Sequence, residues 1–405
     1  MSAAHGWADS AATHAPELAS ERLRARLSAT LPSADPSAIR VARAPGRVNL
    51  IGEHTDYNLG YVLPAAIDLE IRIACIPATD RRVELVSEAT GERACFDLDE
   101  IGPSAGGMAA YVAGTAWALA EAGIPTRGVR GALASSLPRA SGLSSSAALE
   151  LATAWALVED PAAIAPLELA RICQRAENAY VGVNCGLMDQ FASACGAAGA
   201  AMLLDCRSLD WQPVTLPLAT HALVAIHTGS SRNLSTSQYN ARRAQCEAAA
   251  AVLARDDPAI RSLRDLTPAM LPAVAARVDQ ETYRRCRHVV TENVRVMETI
   301  AALAADDLAA VGALFAASHA SLRDDYEVVS PALESLVEIA VSVPGVVAAR
   351  MTGAGFGGCT INLVERDAVA ALRRRVLAIY PARTGLTPRV YQVNAAPGAG
   401  LVPGG

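Results

Sequence analysis

Arg43-Ala-Pro-Gly-Arg47-Val-Asn-Leu-Ile-Gly-Glu53-His54-Thr-Asp56-Tyr57-Asn-Leu-Gly-Tyr-Val-Leu-Pro64 holds more charge and hydrogen-bonding capacity between its apolar runs than folding needs. Arg47, Glu53, His54, Asp56 and Tyr57 all fall between flanks rich in Val, Leu and Ile. A surface hairpin can use one or two such residues as solvated turn polars. A Glu-His-x-Asp cluster enclosed by apolar runs better suits a polar ligand rich in hydroxyls.

The rest of the chain sets the frame for that cluster. Its 405 residues are enough for two or three domains, and with 52% apolar residues a sizeable core forms without staples. The formal charge is −6 and the arginines are scattered, which argues against a nucleic-acid surface. Nine cysteines show no Cys-x-x-Cys pair and no zinc-like or disulfide-like spacing, so they read as buried or incidental thiols. Acidic and histidine residues precede any apolar run, and no stretch reaches the roughly 18 apolar residues of a membrane span. A cytoplasmic protein with no membrane partner is expected.

Lysine is absent throughout, so every basic side chain except histidine is arginine. This excludes a lysine-bearing P-loop, a protein-kinase strand lysine and Schiff-base chemistry. Nucleotide phosphates, if bound, must be held in another way. Residues 131–152 offer one. Gly131 to Pro138 reads as a strand, Arg139 to Ser146 as a loop, and the following Ala/Leu-rich run as a helix starting near Ser145 and Ser146. Gly142 lets backbone approach a ligand closely, and the helix start directs unpaired N–H groups and its positive dipole end into the loop. Ser144, Ser145 and Ser146 add hydroxyl donors, and one of them can ligate a metal. A serine run can equally serve as a helix cap.

An apolar stripe of Leu167, Leu169, Ile172, Cys173, Ala176 and Tyr180 predicts an amphipathic helix over 165–180, with Glu177 in its last turn. After a break at 181–186, Asp189 falls in or near the first turn of the next helix, where the dipole favours a carboxylate. Further on, Met351-Thr-Gly-Ala-Gly-Phe-Gly-Gly-Cys-Thr-Ile-Asn-Leu-Val364 places a glycine-rich turn before an apolar strand. A strand rather than a helix follows the glycines, so this is not a dinucleotide fingerprint. Residues 1 to 20 and the Pro/Gly-rich tail from about 396 read as disordered ends, and Ala-rich helices dominate 241–320.

Gly46 to Tyr57 resembles, letter for letter, the sugar-recognition signature of galactokinases within the GHMP kinase family. Pro138-x-x-x-Gly142-Leu-Ser-Ser-Ser-Ala147 resembles that family's phosphate loop, Cys185-Gly-Leu-Met-Asp-Gln190 the pattern around its catalytic aspartate, and Thr352 to Cys359 its third motif. Gln238 to Glu247 and Ser318 to Val328 agree with galactokinases in particular, so the similarity runs from about residue 40 to 363. Departures are Arg139, Ala140 and Ser141 where many relatives carry a further glycine, His227 before Thr228, and Ser335 where many carry Asp.

The resemblance implies an α+β fold of two domains, 20–205 and 206–395, with the site in the cleft between them. It implies a monomer that transfers the γ-phosphoryl group of ATP to the anomeric hydroxyl of galactose, with Mg2+. Asp189 would accept or polarise the hydroxyl proton, and Arg47 would pair with it and offset transition-state charge. Glu53, His54, Asp56, Gly186 and Tyr239 would hold the sugar. Gly142, Ser144, Ser145 and Ser146 would hold the nucleotide phosphates, and Ser146 and Glu177 the metal. Arg242, Arg243, Arg323 and Asp324 read equally well as ion pairs between helices. A kinase for a related sugar (arabinose, N-acetylgalactosamine or a uronic acid) shares the same chemistry. A sugar sensor without turnover would be expected to have lost part of the serine loop, which is complete here. A mevalonate- or homoserine-type kinase would lack the Glu-His-Thr-Asp cluster.

Overall fold

The strands flanking the polar cluster are buried along most of their length, and in the second of them Asp68, Glu70 and Arg72 alternate with Ile and Leu. The computed structural model describes residues 16–30, 35–103, 106–138, 141–230 and 235–402. Helix α1 (Pro16–Thr30) leads into β1 (Arg40–Asn49), β2 (Tyr61–Val62), β3 (Pro64–Pro77), β4 (Arg82–Ser87) and β5 (Arg93–Asp97). Helix α2 (Gly107–Glu121), β6 (Val129–Ser135), α3 (Ser145–Leu157), α4 (Pro166–Arg175) and α5 (Met188–Cys195) follow. β3 pairs antiparallel with β1 and β6, and β6 pairs parallel with β4. Leu23 and Leu27 of α1 cover Val41, Ala74, Ala132 and Ala134 on one face. The alternate set, Ala42, Ala44, Ile73, Cys75 and Leu133, packs into the main core with Leu149 and Leu151 of α3. Each fully buried Leu or Ile contributes roughly 2 kcal/mol by leaving water, so both faces stabilise the sheet.

Strands β7 (Ala200–Asp205) and β8 (Trp211–Thr215) pair antiparallel across a short turn, with β2 on the other edge of β7. The chain continues through β9 (His221–His227), α6 (Ser235–Leu253), α7 (Leu271–Ala275), α8 (Gln280–Ala304), α9 (Leu308–Asp324) and α10 (Pro331–Val341). It closes with β10 (Val346–Thr352), β11 (Cys359–Glu365), α11 (Val369–Thr384), β12 (Arg389–Val393) and β13 (Gly400–Leu401). A second sheet has the order β10-β11-β9-β12, and its Val224 and Ile226 pack against Leu336 of α10 and Leu372 and Val376 of α11. Helices with largely antiparallel sheets match the α+β class expected from the sequence. The main core is continuous from the first sheet to Val296, Phe315 and Ile361, so the two halves are packed firmly together.

Two expectations about the chain ends are corrected. Residues 16 to 20 belong to helix α1, and residues 1–15 lie outside the described residues. The Pro/Gly-rich tail is ordered to residue 402: β13 pairs with β1, and Arg43 donates to the carbonyls of Pro397 and Gly398. Composition misled there, because Gly400 and Leu401 supply both backbone groups for edge pairing and Pro397 still supplies a carbonyl. No helix among the described residues is long and apolar enough to cross a membrane.

Candidate active site

A cavity of about 210 Å³ lies where the polar cluster, the serine loop and the glycine-rich turn meet. Arg47, His54, Asp56, Ser146, Glu177 and Asp189 are on its wall, with Glu53, Gly186, Tyr239 and Gly353. The register of β1 against β3 shifts between Pro45 and Arg47, a bulge that bends the strand end and re-aims Arg47. The Arg47 N–H donates to the carbonyl of Leu143, so the serine loop rests on that bend. Buried Arg47 then donates from Nε and Nη2 to Asp189 Oδ1 at 2.8 and 2.6 Å, and from Nη1 to the Gly142 carbonyl at 2.6 Å. Asp189 is in the first turn of α5, with 26% of its side chain exposed.

Within the serine loop the hydroxyls do different things. Ser144 adopts a left-handed backbone, φ 59°, and donates to Asp189 Oδ2 at 2.6 Å. Such a conformation is uncommon outside glycine, and here it turns a hydroxyl away from the helix and onto the aspartate. Ser145 opens α3 half-buried, and the Ser146 hydroxyl lies beside Glu177, where it favours the ionised carboxylate. Arg139 and Ala140, two of the three departures in this loop, lie outside the described residues, whereas Ser141 is buried and accepts from the Leu143 N–H.

Glu177 sits in a π-type turn, Ala176–Val181, that continues α4 in place of the last α-helical turn expected from the sequence. Gln190 Nε2 donates to Glu177 Oε2 at 2.6 Å and to Glu150 Oε2 at 3.0 Å, while Glu150 Oε1 is buried with no partner among the described residues. Burial, then the charge of Asp189, pushes the Glu177 carboxyl up to about 7. Burial and the charge of Glu177 push Glu150 well above the carboxylate range. Without a cation between them, both carboxyls thus favour their protonated forms.

The sugar-signature residues divide into two kinds. Asp56 faces the cavity opposite Gly186, where a methyl group would sit 1.9 Å from Asp56 Oδ2, so any side chain there must displace the carboxylate. Tyr239 stands beside His54 with ring centroids 5.5 Å apart. Glu53 and His54 line the cavity but are also engaged by protein groups. Glu53 forms an ion pair with Arg350 at 2.5 Å and accepts the Gly353 N–H at 3.0 Å. Both ring nitrogens of His54 have partners, the Tyr57 hydroxyl at 2.7 Å and the Ala354 carbonyl at 3.2 Å.

The glycine-rich turn closes the arrangement. Gly353 has φ 83°, and a Cβ there would lie 2.9 Å from the Gly142 carbonyl, so the third motif lies directly against the second. Thr352 Oγ1 accepts from the Asn49 N–H and donates to its carbonyl, while Arg350 donates to the Leu50 carbonyl. Arg350, Glu292, Gln190 and Glu150 were not among the residues singled out in the sequence. Glu150 had a usable signal, a lone carboxylate on the apolar face of α3. The four other charged residues make ion pairs: Arg242 with Glu327, Arg243 with Glu247, and Arg323 with Asp324 and Glu334.

Comparison with known proteins identifies the family. A family model described as the galactokinase galactose-binding signature matches residues 33–77, and models of the GHMP kinase N-terminal and C-terminal domains match 110–197 and 299–382. The galactokinase of Roseiflexus sp. (strain RS-1) is 44% identical over 363 residues, covering 89% of this chain and 93% of that one. The crystal structure of Lactococcus lactis galactokinase complexed with galactose superposes with a TM-score of 0.86 at 37% identity, covering 93% of this chain and 98% of that one. The Methanococcus jannaschii mevalonate kinase shares the fold, with a TM-score of 0.63 at 17% identity over 88% and 98% of the two chains.

Proposed function

The chain belongs to the galactokinase family of GHMP kinases, and we infer that it transfers the γ-phosphoryl group of ATP to the anomeric hydroxyl of galactose, giving galactose 1-phosphate and ADP. The observation that carries the site assignment is the Arg47–Asp189–Ser144 contact set, which joins the sugar signature, the phosphate loop and the aspartate helix in one cavity. An ionised carboxylate has about four lone-pair positions. Two on Oδ1 are taken by Arg47 and one on Oδ2 by Ser144, which leaves one on Oδ2 for the substrate hydroxyl.

In this reading the anomeric oxygen attacks the γ-phosphorus as its proton passes to Asp189 Oδ2. The bond from that phosphorus to the β,γ-bridging oxygen breaks, and its electron pair leaves with ADP. The transition state is loose, so orientation by Asp56, Asp189 and Tyr239, with charge offset by Arg47, supplies much of the acceleration. The N-terminus of α3 and the backbone around Gly142 receive the phosphates. Ser146 and Glu177 would hold Mg2+, a hard cation that takes few protein oxygens and completes its shell with phosphate and water. Among the described residues no three His, Cys, Asp or Glu side chains form a protein-only metal cage. Bound Mg2+ supplies charge neutralisation at the phosphates.

The test is ADP release with ATP and magnesium across galactose, glucose, arabinose, N-acetylgalactosamine, galacturonate and mevalonate, with product identification. Galactose 1-phosphate is the expected main product. Asp189→Asn is expected to lower kcat by about 100-fold or more while ATP binding persists. Full turnover by that variant would remove Asp189 from proton transfer, and galactose binding without ADP release would replace the kinase with a sensor.

A further inference from the structure

The segment that carries Gly186 into α5 has little backbone structure of its own. Residues 182–187 belong to no helix or strand, yet Gly186 stands against Asp56, and Asp189 opens the helix that follows. Backbone groups in such a segment are satisfied by side chains where no ladder or helix serves them. Cys185, the residue before Gly186, gathers most of these contacts. Its N–H donates to Asn178 Oδ1 at 3.0 Å as well as to the Val183 carbonyl at 2.8 Å, and its carbonyl accepts from Asn178 Nδ2 at 3.3 Å. Gln174 Nε2 reaches the same carbonyl at 3.3 Å. From α6 in the second half of the chain, Arg243 Nη1 reaches the carbonyls of Asn184 and Cys185 at 3.1 and 3.5 Å.

The two bonds between Asn178 and Cys185 are reciprocal, and neither can be reversed. A peptide N–H only donates and a peptide carbonyl only accepts, so the Asn178 amide fits in one orientation. The π-type turn supplies the geometry: of two neighbours within it, Glu177 meets Gln190 while Asn178 meets the loop. The loop in turn reaches both carboxylates of the cavity. The Met188 N–H lies beside Asp56, where it favours the ionised form, and Asp189 receives Arg47 and Ser144. A shift at Cys185 therefore moves Gly186 relative to Asp56 and carries the start of α5 with it.

We propose that Asn178 is a positioning residue, whose side-chain amide pairs with both backbone groups of Cys185 and so sets where Gly186 and Asp189 stand in the sugar site. Arg243 completes the clamp from the opposite side, which makes the placement of the loop depend on α6 being docked. The proposal rests on the galactose-site reading above. Its tests are binding and hydrogen exchange, neither of which needs turnover.

The experiment measures Kd for galactose and for ATP separately by calorimetry, with hydrogen exchange read by mass spectrometry, in wild type and three variants. Asn178→Ala is expected to raise Kd for galactose about tenfold, the equivalent of one or two neutral hydrogen bonds, with Kd for ATP unchanged. Exchange is expected to quicken over residues 183–189 and to stay as in wild type in β1 and α3. Asn178→Asp keeps the size and one acceptor but sets an oxygen against the Cys185 carbonyl, so it is expected to bind galactose no better than the alanine variant. Arg243→Met is expected to weaken galactose binding in the same sense by a smaller factor. Wild-type galactose affinity in Asn178→Ala overturns the proposal. So does wild-type affinity in Asn178→Asp, which would show that shape alone matters, and so does an equal loss of galactose and ATP affinity with exchange raised throughout the protein. Galactose binding without ADP release in the wild type would instead overturn the functional reading, while the ratios of Kd and the exchange pattern still decide the clamp.

Discussion

Asp56 shows at the scale of one residue how burial and ligand binding oppose each other. Its carboxyl is pushed up to about 6, first by burial and then by the charge of Asp189, in a cavity that awaits hydroxyl groups. A sugar hydroxyl donating to it favours the ionised form, so affinity depends on the carboxylate being charged. Galactose Kd, measured by calorimetry without nucleotide, is expected to rise as pH falls below about 6, approaching tenfold per pH unit, and to be pH-independent in Asp56→Asn. A flat profile for the wild type between pH 5 and 7 would take Asp56 out of the sugar contacts. The stability term has the opposite sense: a folded value above the ordinary carboxylate value favours the sugar-free fold in acid, and that contribution is lost as pH rises through about 6. Asp56 and Asp189 were legible in the sequence because polar residues enclosed by apolar runs need a reason to be there. The hydrogen-bonding state of His54 was not, since its partner Ala354, and Tyr326 behind its other partner Tyr57, are remote in sequence and only the folded chain assembles them.

The loops and short helices carry the site, and their geometry tolerates little added volume. Gly186 joins the π-type turn to α5, and a methyl group added there would come within 1.9 Å of Asp56 Oδ2, which forces the carboxylate aside in Gly186→Ala. That variant is expected to stay folded, because the loop is partly open, and to raise KM for galactose at least about tenfold through misplacement of Asp56. Unchanged steady-state constants would show that the loop yields instead of the carboxylate. At this scale the sequence reading was strong where glycine and serine punctuate: the starts of α3 and α5 fall where the capping and dipole signals put them. It was weak at the end of α4, where apolar periodicity cannot distinguish an α-turn from the wider π-turn that brings Glu177 to Ser146 and Gln190.

Across the whole molecule the two halves meet through buried charge. Arg350 on β10 pairs with Glu53 at 2.5 Å and lies 3.8 Å from Glu292 of α8, and Glu292 accepts from the Gly52 N–H, Ser318 and Arg295. Removing the central cation leaves two carboxylates buried, so Arg350→Met is expected to cost about 3–5 kcal/mol in urea unfolding, with part recovered in the double variant Arg350→Met/Glu53→Gln. A loss under about 1 kcal/mol would show that Arg295 alone balances Glu292. This network could not be read from the sequence, since isolated Arg and Glu residues in helices and strands look like solvated surface. The first sheet has a second long-range dependence, in β13. That strand seals the edge of β1, yet the ribosome makes it after the whole of the second sheet. During synthesis the β1 edge is therefore open to other strands until residue 400 emerges, and a nascent chain of this protein gains from a chaperone that covers that edge over this interval.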